Sequence, residues 1–311
     1  MSEPNNLHID QFLSNVSKAY RNDATIWPDI FPVVPVGKRS DKYLVLDKEH
    51  AFREADDMLG PNALPNEIGI SYSDDNYSVE SHGLADWLAQ EHLDNADAPV
   101  SLESDVTEHL SDTLDLTQER RVAALAFAAG TYPSGNKVQL VGGSPGTQWN
   151  DPDGDPVGDV RTAVESTFMR ANTLVFGLDA WLVFQSAAKV LEHLHGLQGK
   201  KFATEAEVAA MFGVQRVLVG RARVNTAKPG QTPSYARVWG KHVAALHVGP
   251  SAGIKTITFG KTFSTEPNKL TYRDFDGRRG EKGSHYFKVA WNSDEKIVAS
   301  ELGYFIEDAV A

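Results

Sequence analysis

The sequence predicts an α+β fold, and three observations carry that reading. A stretch of about 29 residues, "SLESDVTEHLSDTLDLTQERRVAALAFAAG" from Ser101, spaces its apolar residues four apart, which a helix requires. From Thr173 onward, short apolar strands alternate with helical segments. From Gly253 to the end, strand patterns dominate.

Taken in chain order, the first element is an apolar arm. "IWPDIFPVVPVGKR", Ile26 to Arg39, places six large apolar side chains, Ile26, Trp27, Ile30, Phe31, Val33 and Val34, among Pro28, Pro32 and Pro35. Proline holds φ near −65°, so such a segment stays extended and loses little entropy when it docks. The chain then alternates as a strand in "DKYLVLDKEHAFR", passes a polar tip "DDMLGPNALPNE", and returns as "IGISYSDDNYSVESHG". This is a long two-stranded excursion, and a lone hairpin is marginal in water without a surface to lie on. The neighbouring sequence offers no obvious one.

The long helix follows, with Leu102, Val106, Leu110, Leu114, Val122 and Leu125 as its apolar positions. Ser101 or Ser104 is placed to cap it, Arg120 and Arg121 fall late, and Gly130 and Pro133 stop it. At ~1.5 Å per residue it would span about 43 Å, unless Asp115 and Gln118 restart a second helix as a capping box. Beyond it lie a short strand at "KVQLV", a Gly/Pro/Asp-rich connection "DPDGDPVGD", and an amphipathic helix over Val160 to Asn172. The strand "TLVFG" leads to helices "LDAWLVFQSAAKVLEHLHG" and "TEAEVAAMFG" and strands "QRVLVGRARVN" and "ARVWGKHVAALHV". The last strands are "GIKTITFGKTF", "KLTYRDFD", "SHYFKVAWN" and "KIVASELGYFIEDAV".

Composition excludes several functions. With no cysteine among 311 residues, disulfides, thiolate metal sites and a cysteine nucleophile are impossible. The longest apolar run, "VAALAFAA", has eight residues where a membrane span needs about 20, and no secretory leader is visible. Charge is uneven. Residues 41–115 hold 19 Asp and Glu against Lys42, Lys48 and Arg53, a net of 3 − 19 = −16, while 116–311 hold 23 basic and 19 acidic residues, net +4. An acidic segment beside a mildly basic one suits complementarity between copies of the chain, or a solvated acidic face.

No catalytic constellation emerges. "FGKTF" lacks the phosphate-loop glycine, since position 255 is Lys, and reads as strand. In "DPDGDPVGD" the glycine stands fourth instead of sixth and position twelve is Thr162, so a solvated acidic loop fits better than a calcium loop. His193 and His195 would point about 200° apart on a helix and share no metal easily. There is no Gly-x-Ser-x-Gly elbow, and the pairs Asp56 with Asp57 and Asp74 with Asp75 lie in polar loops.

The order of parts resembles the major capsid proteins of tailed bacteriophages, the Hong Kong 97-type capsid fold. Six segments in order carry the resemblance over nearly the whole chain: "IWPDIFPVVPVGKRSDKYLVLDKE", "NADAPVSLESDVTEHLSDTLDLTQERRVA", "ANTLVFG", "LVGRARVNTAKPGQ", "VWGKHVAALHV" and "LGYFIEDAV". It implies an N-terminal arm over 1–40, an extended E-loop over 41–83, a peripheral domain with a spine helix over 84–165 completed by strands of 255–311, and an axial domain over 166–254. It implies a coat protein, not an enzyme, that self-assembles into hexamers and pentamers of an icosahedral head around double-stranded DNA, without cofactor or metal.

On that reading Ile26, Trp27, Ile30, Phe31, Val33 and Val34 are buried on a neighbouring subunit, and the E-loop lies across one. Implied partners are further copies of the chain, a separately encoded scaffolding protein, a portal and a decoration protein, with no membrane. Implied locations are the virion and, during assembly, the host cytoplasm. Some relatives form covalent lysine-to-asparagine cross-links, and Lys48 or Asn62 near the excursion has the residue type for such a role, but nothing local supports that chemistry and none is assigned. The alternatives are an encapsulin-like nanocompartment shell and a metal-dependent enzyme using the acidic loop.

Overall fold

The long helix is present and unbroken, Leu102–Ala126, in a computed structural model. The structure describes residues 8–9, 25–46, 54, 57–59, 64, 67, 72–95, 101–141, 147–195, 202–228, 230–250, 253, 256–266 and 268–311. No restart occurs at Asp115 and Gln118, because both side chains are spent elsewhere: Asp115 pairs with Lys269, and Gln118 donates to Glu295. Ser101 makes no capping bond, its hydroxyl meeting that of Ser104 at 3.0 Å. At the other end the Tyr132 hydroxyl donates to the Ala126 carbonyl, satisfying one of the acceptors a helix end exposes.

In chain order the strands are β1 (His8–Ile9), β2 (Val33–Pro35), β3 (Ser40–Leu46), β4 (Tyr72–Ser78), β5 (Glu80–Ala89), β6 (Lys137–Gln139), β7 (Thr173–Gly177) and β8 (Arg216–Gly220). They continue with β9 (Arg223–Asn225), β10 (Tyr235–Arg237), β11 (Val243–Leu246), β12 (Gly260–Ser264), β13 (Leu270–Asp276), β14 (Ser284–Ile297) and β15 (Gly303–Glu307).

A six-stranded sheet runs β1-β13-β14-β12-β2, with β5 also on β14. At 14 residues β14 is long enough for three partners: β13 across 284–290, β5 across 284–293 and β12 across 294–297, all antiparallel. Its residues Phe287, Val289, Trp291 and Ser293 alternate inward, and the long helix lies on the strand. The unpredicted β5, "ESHGLADWLA", is half exposed, and pairing with β14 keeps it extended while Leu84 and Leu88 pack on the core beneath the long helix.

A five-stranded sheet runs β6-β15-β11-β7-β8, parallel at β15–β6 and β7–β8. Both faces of its centre are covered. Leu174, Phe176, Val243, Ala245 and Ile306 point into a core shared with the helices, while Val175, Ala244, Leu246 and Phe305 join the core beneath the long helix. That explains why these strands read as unbroken apolar runs. β6 and β15, on either side of 166–254, join β7, β8 and β11 from within it in this sheet.

Several predicted elements are cut by local chemistry. The segment 236–248 divides at Gly240, whose φ of 55° suits glycine and not a strand. The strand through 215–225 stops at Gly220, where any Cβ would fall 2.1 Å from the Trp239 ring. The helix from Leu178 ends at Phe184 and resumes at Ala188 to His195, because Ser186 back-bonds to the Leu182 carbonyl and the turn tightens to i,i−3 bonds. The amphipathic helix lies earlier than expected, Pro156–Glu165, with Pro156 in the first turn where a missing N–H costs nothing. Helix Glu205–Phe212 matches, with the Thr204/Glu207 capping box and Gly213 left-handed at its end.

Candidate assembly surfaces

The arm segment departs most from expectation. Ile26, Trp27, Ile30, Phe31 and Val34 are buried against their own chain, Ile30 and Phe31 completely, and only Val33 of the six stays partly open. A neighbour is therefore not what covers them. The sequence shows the apolar run but not the receiving surface, which is assembled from residues distant in the chain, Glu119 standing 93 positions from Ile26. Trp27 packs on Trp291 at 5.5 Å between ring centres, and Phe31 meets Phe259 edge-on at 6.1 Å. Gly260 makes the room, since a Cβ there would lie 2.4 Å from the Phe31 ring. The arm then pairs in parallel with β12, Val33 to Thr262 and Val34 to Phe263.

Glu119 of the long helix fastens this segment. Its carboxylate accepts from the Ile26 N–H on both oxygens at 3.1 and 3.0 Å, from the Trp27 N–H at 2.8 Å and from the Trp239 indole. It has no exposed surface, and burial pushes its pKa up to about 7 against the pull of those donors. One turn earlier Asp115 pairs with Lys269, and burial holds its pKa above the usual carboxylate range against the pull of that ammonium. Arg216 secures the arm from the five-stranded sheet through the Asp29 carboxylate at 3.1 Å and carbonyl at 2.9 Å.

The excursion is real and its base has a partner after all. β3 and β4 pair antiparallel from Ser40↔Ser78 to Leu46↔Tyr72. Tyr43 and Tyr77 flank Phe263 at 5.1 and 4.8 Å, forming with Val34, Val36 and Val79 a small core of their own. The Ser78 N–H donates to Asp294 at 2.7 Å, tying the base to β14. Burial, then the bond to Asp75, raises the Tyr43 hydroxyl's pKa. Among the described residues beyond this base, Met58 is 86% exposed and Leu64 91%. Ile68, Ile70, Lys48, Asn62 and residues 1–7 and 10–24 of the arm lie outside the described residues.

The other sequence candidates have structural employment. In "DPDGDPVGD", Asp159 accepts the Trp149 indole at 2.8 Å, Lys189 donates to the Gly154 carbonyl at 2.7 Å, and the Asp153 N–H turns back to Asp151. Among the described residues no group of three or more His, Asp or Glu is placed to hold a metal. His193 is exposed, with Nδ1 on the Lys189 carbonyl, and the His195 side chain lies outside the described residues. The GKT of "FGKTF" is strand β12, wholly buried. Exposed apolar side chains also stand at Leu182, Phe202 and Tyr235 in the 166–254 region and at Phe275 beside the β13–β14 turn. No described helix is long and apolar enough to cross a membrane.

Sequence reasoning missed Glu119, Asp115, Lys269 and Trp239. A signal was present for the first two: positions 115, 119, 122 and 126 continue the helical stripe begun by Leu110 and Leu114, so two carboxylates sit where apolar side chains belong.

No protein-family profile matches the chain. The major capsid protein of Pseudomonas phage JBD67 is 31% identical over 305 residues, covering 97% of each chain. That of Burkholderia phage BcepMu is 23% identical over 254 residues, covering 77% of this chain and 76% of its own. Among solved structures, a phage-related protein from Bordetella bronchiseptica RB50 superposes with a TM-score of 0.78 at 26% identity, covering 97% of this chain and 98% of that one. The capsid of Cyanophage P-SCSP1u matches with a TM-score of 0.58 at 10% identity over 99% of this chain and 92% of its own, a likeness of fold alone.

Proposed function

This chain belongs to the phage major capsid proteins, and from that premise we propose that it builds the icosahedral head around double-stranded DNA as hexamers and pentamers. The near-full-length likeness to a phage coat protein carries the reading. The exposed apolar residues of the excursion support it, because Met58, Leu59 and Leu64, between β3 and β4, stand in water and gain cover on a second copy. Such contacts join different patches on successive copies, which is how rings close.

The finer assignment follows the same lines. Residues 1–40 serve as arm, with the stretch from Thr25 fixed on its own subunit, and 41–83 as the E-loop. Residues 84–165 with 255–311 form the peripheral domain, and 166–254 the axial domain presenting Leu182, Phe202 and Tyr235 toward the capsomer centre. A separate scaffolding protein, a portal and a decoration protein are the proposed partners, with assembly in the host cytoplasm. The role is structural and uses no catalysis. The formal charge of −12 suits a shell that encloses DNA without sequence-specific grip.

Negative-stain electron microscopy of the purified chain, alone and with its candidate scaffolding protein, tests this. Closed particles or five- and six-membered rings are expected. A persistent monomer of 34.0 kDa under all conditions overturns the reading.

A further inference from the structure

Glu119 sits where three parts of the chain meet: the long helix, the arm segment and the turn after β10. All its close donors are N–H groups, from Ile26, Trp27 and Trp239. Asp115, one turn away on the same face, lies beside the indole of the same Trp27, whose backbone N–H donates to Glu119. Lys269, approaching β13, is the ammonium on this pair. With both carboxylates ionised the buried set carries −1, and with one proton added it is neutral.

The remaining charges packed around the site are engaged elsewhere. Arg121 of the long helix is held by Glu295 of β14, with His82 of β5 beside them. Asp29 of the arm is held by Arg216 of β8. Asp112 acts on Asp115 and raises it further. His242, past Phe127, faces Asp308 and Lys241. Among the described residues Asp115 is the charge that bears on Glu119, and it repels.

We propose that Glu119 and Asp115 form a proton-operated latch: with one proton on the pair, Ile26 and Trp27 stay seated on the long helix, and loss of that proton loosens them. The direction follows from linkage. A seated Glu119 binds its proton more tightly than a carboxylate in water, so acid favours the seated state and the seat weakens as pH rises through about 7. The cause is a second buried negative charge without a second cation.

The test is hydrogen exchange read by mass spectrometry on the full-length chain from pH 6 to 9, with rates divided by their intrinsic values and assembly state matched by light scattering. Protection across Ile26–Phe31 should fall by up to about tenfold over this range, most of it below pH 8, while β11 stays unchanged. In Glu119→Gln the fall should disappear, and in Asp115→Asn it should shrink. Protection of Ile26–Phe31 that is flat or rising with pH in the natural chain overturns the latch. So does an undiminished fall in Glu119→Gln, or an equal loss in β11, which would mark global unfolding.

Discussion

Replacing Phe31 by alanine separates an arm covered by its own subunit from one covered by a neighbour. The Phe31 ring is completely buried, lies in the space left by Gly260, and meets Phe259 edge-on. Burying roughly 200 Å² of aromatic surface at ~25 cal/mol/Å² is worth about 5 kcal/mol, an upper bound because the unfolded chain already hides part of it. Core Phe→Ala changes cost about 3–5 kcal/mol, and with β2 paired to β12 the site cannot easily collapse, which favours the upper half of that range. The assay is urea unfolding of the unassembled subunit, followed by tryptophan fluorescence and circular dichroism, with the m-value checked for constancy. If a neighbour supplied the cover, the isolated subunit would barely notice the change. A loss below about 1 kcal/mol refutes intramolecular burial.

Gly260→Ala should cost about 1–3 kcal/mol in the same assay, since the new methyl can be admitted only by moving the Phe31 ring, and an unchanged midpoint would contradict that packing. Leu64→Asp with Met58→Asp should leave subunit stability within about 0.5 kcal/mol yet prevent closed shells in electron micrographs, whereas normal shells would show the tip is idle. For pH, the folded pKa of Glu119 near 7 exceeds its ordinary 4.5, so its contribution is complete below about 4.5 and lost as pH rises through about 7. The difference of about 2.5 units sets a ceiling of about 3 kcal/mol. Lys261, pushed down to about 8 by burial, has the opposite sign above that pH, and His82, His242 and His285, each held down by burial, oppose the carboxylate below it, so Glu119 is isolated by comparing Glu119→Gln with the natural chain at pH 5 and pH 8. The natural chain should lose more stability, or gain less, than Glu119→Gln between pH 5 and pH 8, and an identical change in the two would contradict the assignment.

The legible parts of the fold were those whose pattern is local. The four-residue spacing of Leu102, Val106, Leu110 and Leu114 announced the long helix, and Thr204 with Glu207 and Gly213 announced the helix between them. Strands buried on both faces, "TLVFG" above all, were legible as continuous apolar runs. What escaped depends on partners distant in sequence. β5 is a strand because β14 lies beside it, and Gly220 ends β8 because Trp239 occupies the space of a side chain. The arm's apolar residues were recognised, but their cover was assigned to another subunit, since nothing local reveals that Trp291, Phe259 and Glu119 converge on them. Glu119 looked like one more acidic residue in the −16 segment's wake, although its helical phase set it on the buried stripe.

A reconstruction of the assembled particle by electron cryomicroscopy at side-chain resolution is the most direct trial of a shell subunit with a self-covered arm and a neighbour-covered excursion. It should show Met58 and Leu64 buried on an adjacent copy, with Ile30 and Phe31 still packed on their own long helix and β12. An excursion tip left in solvent within a closed shell, or Ile30 and Phe31 seated in a neighbour, would contradict the account.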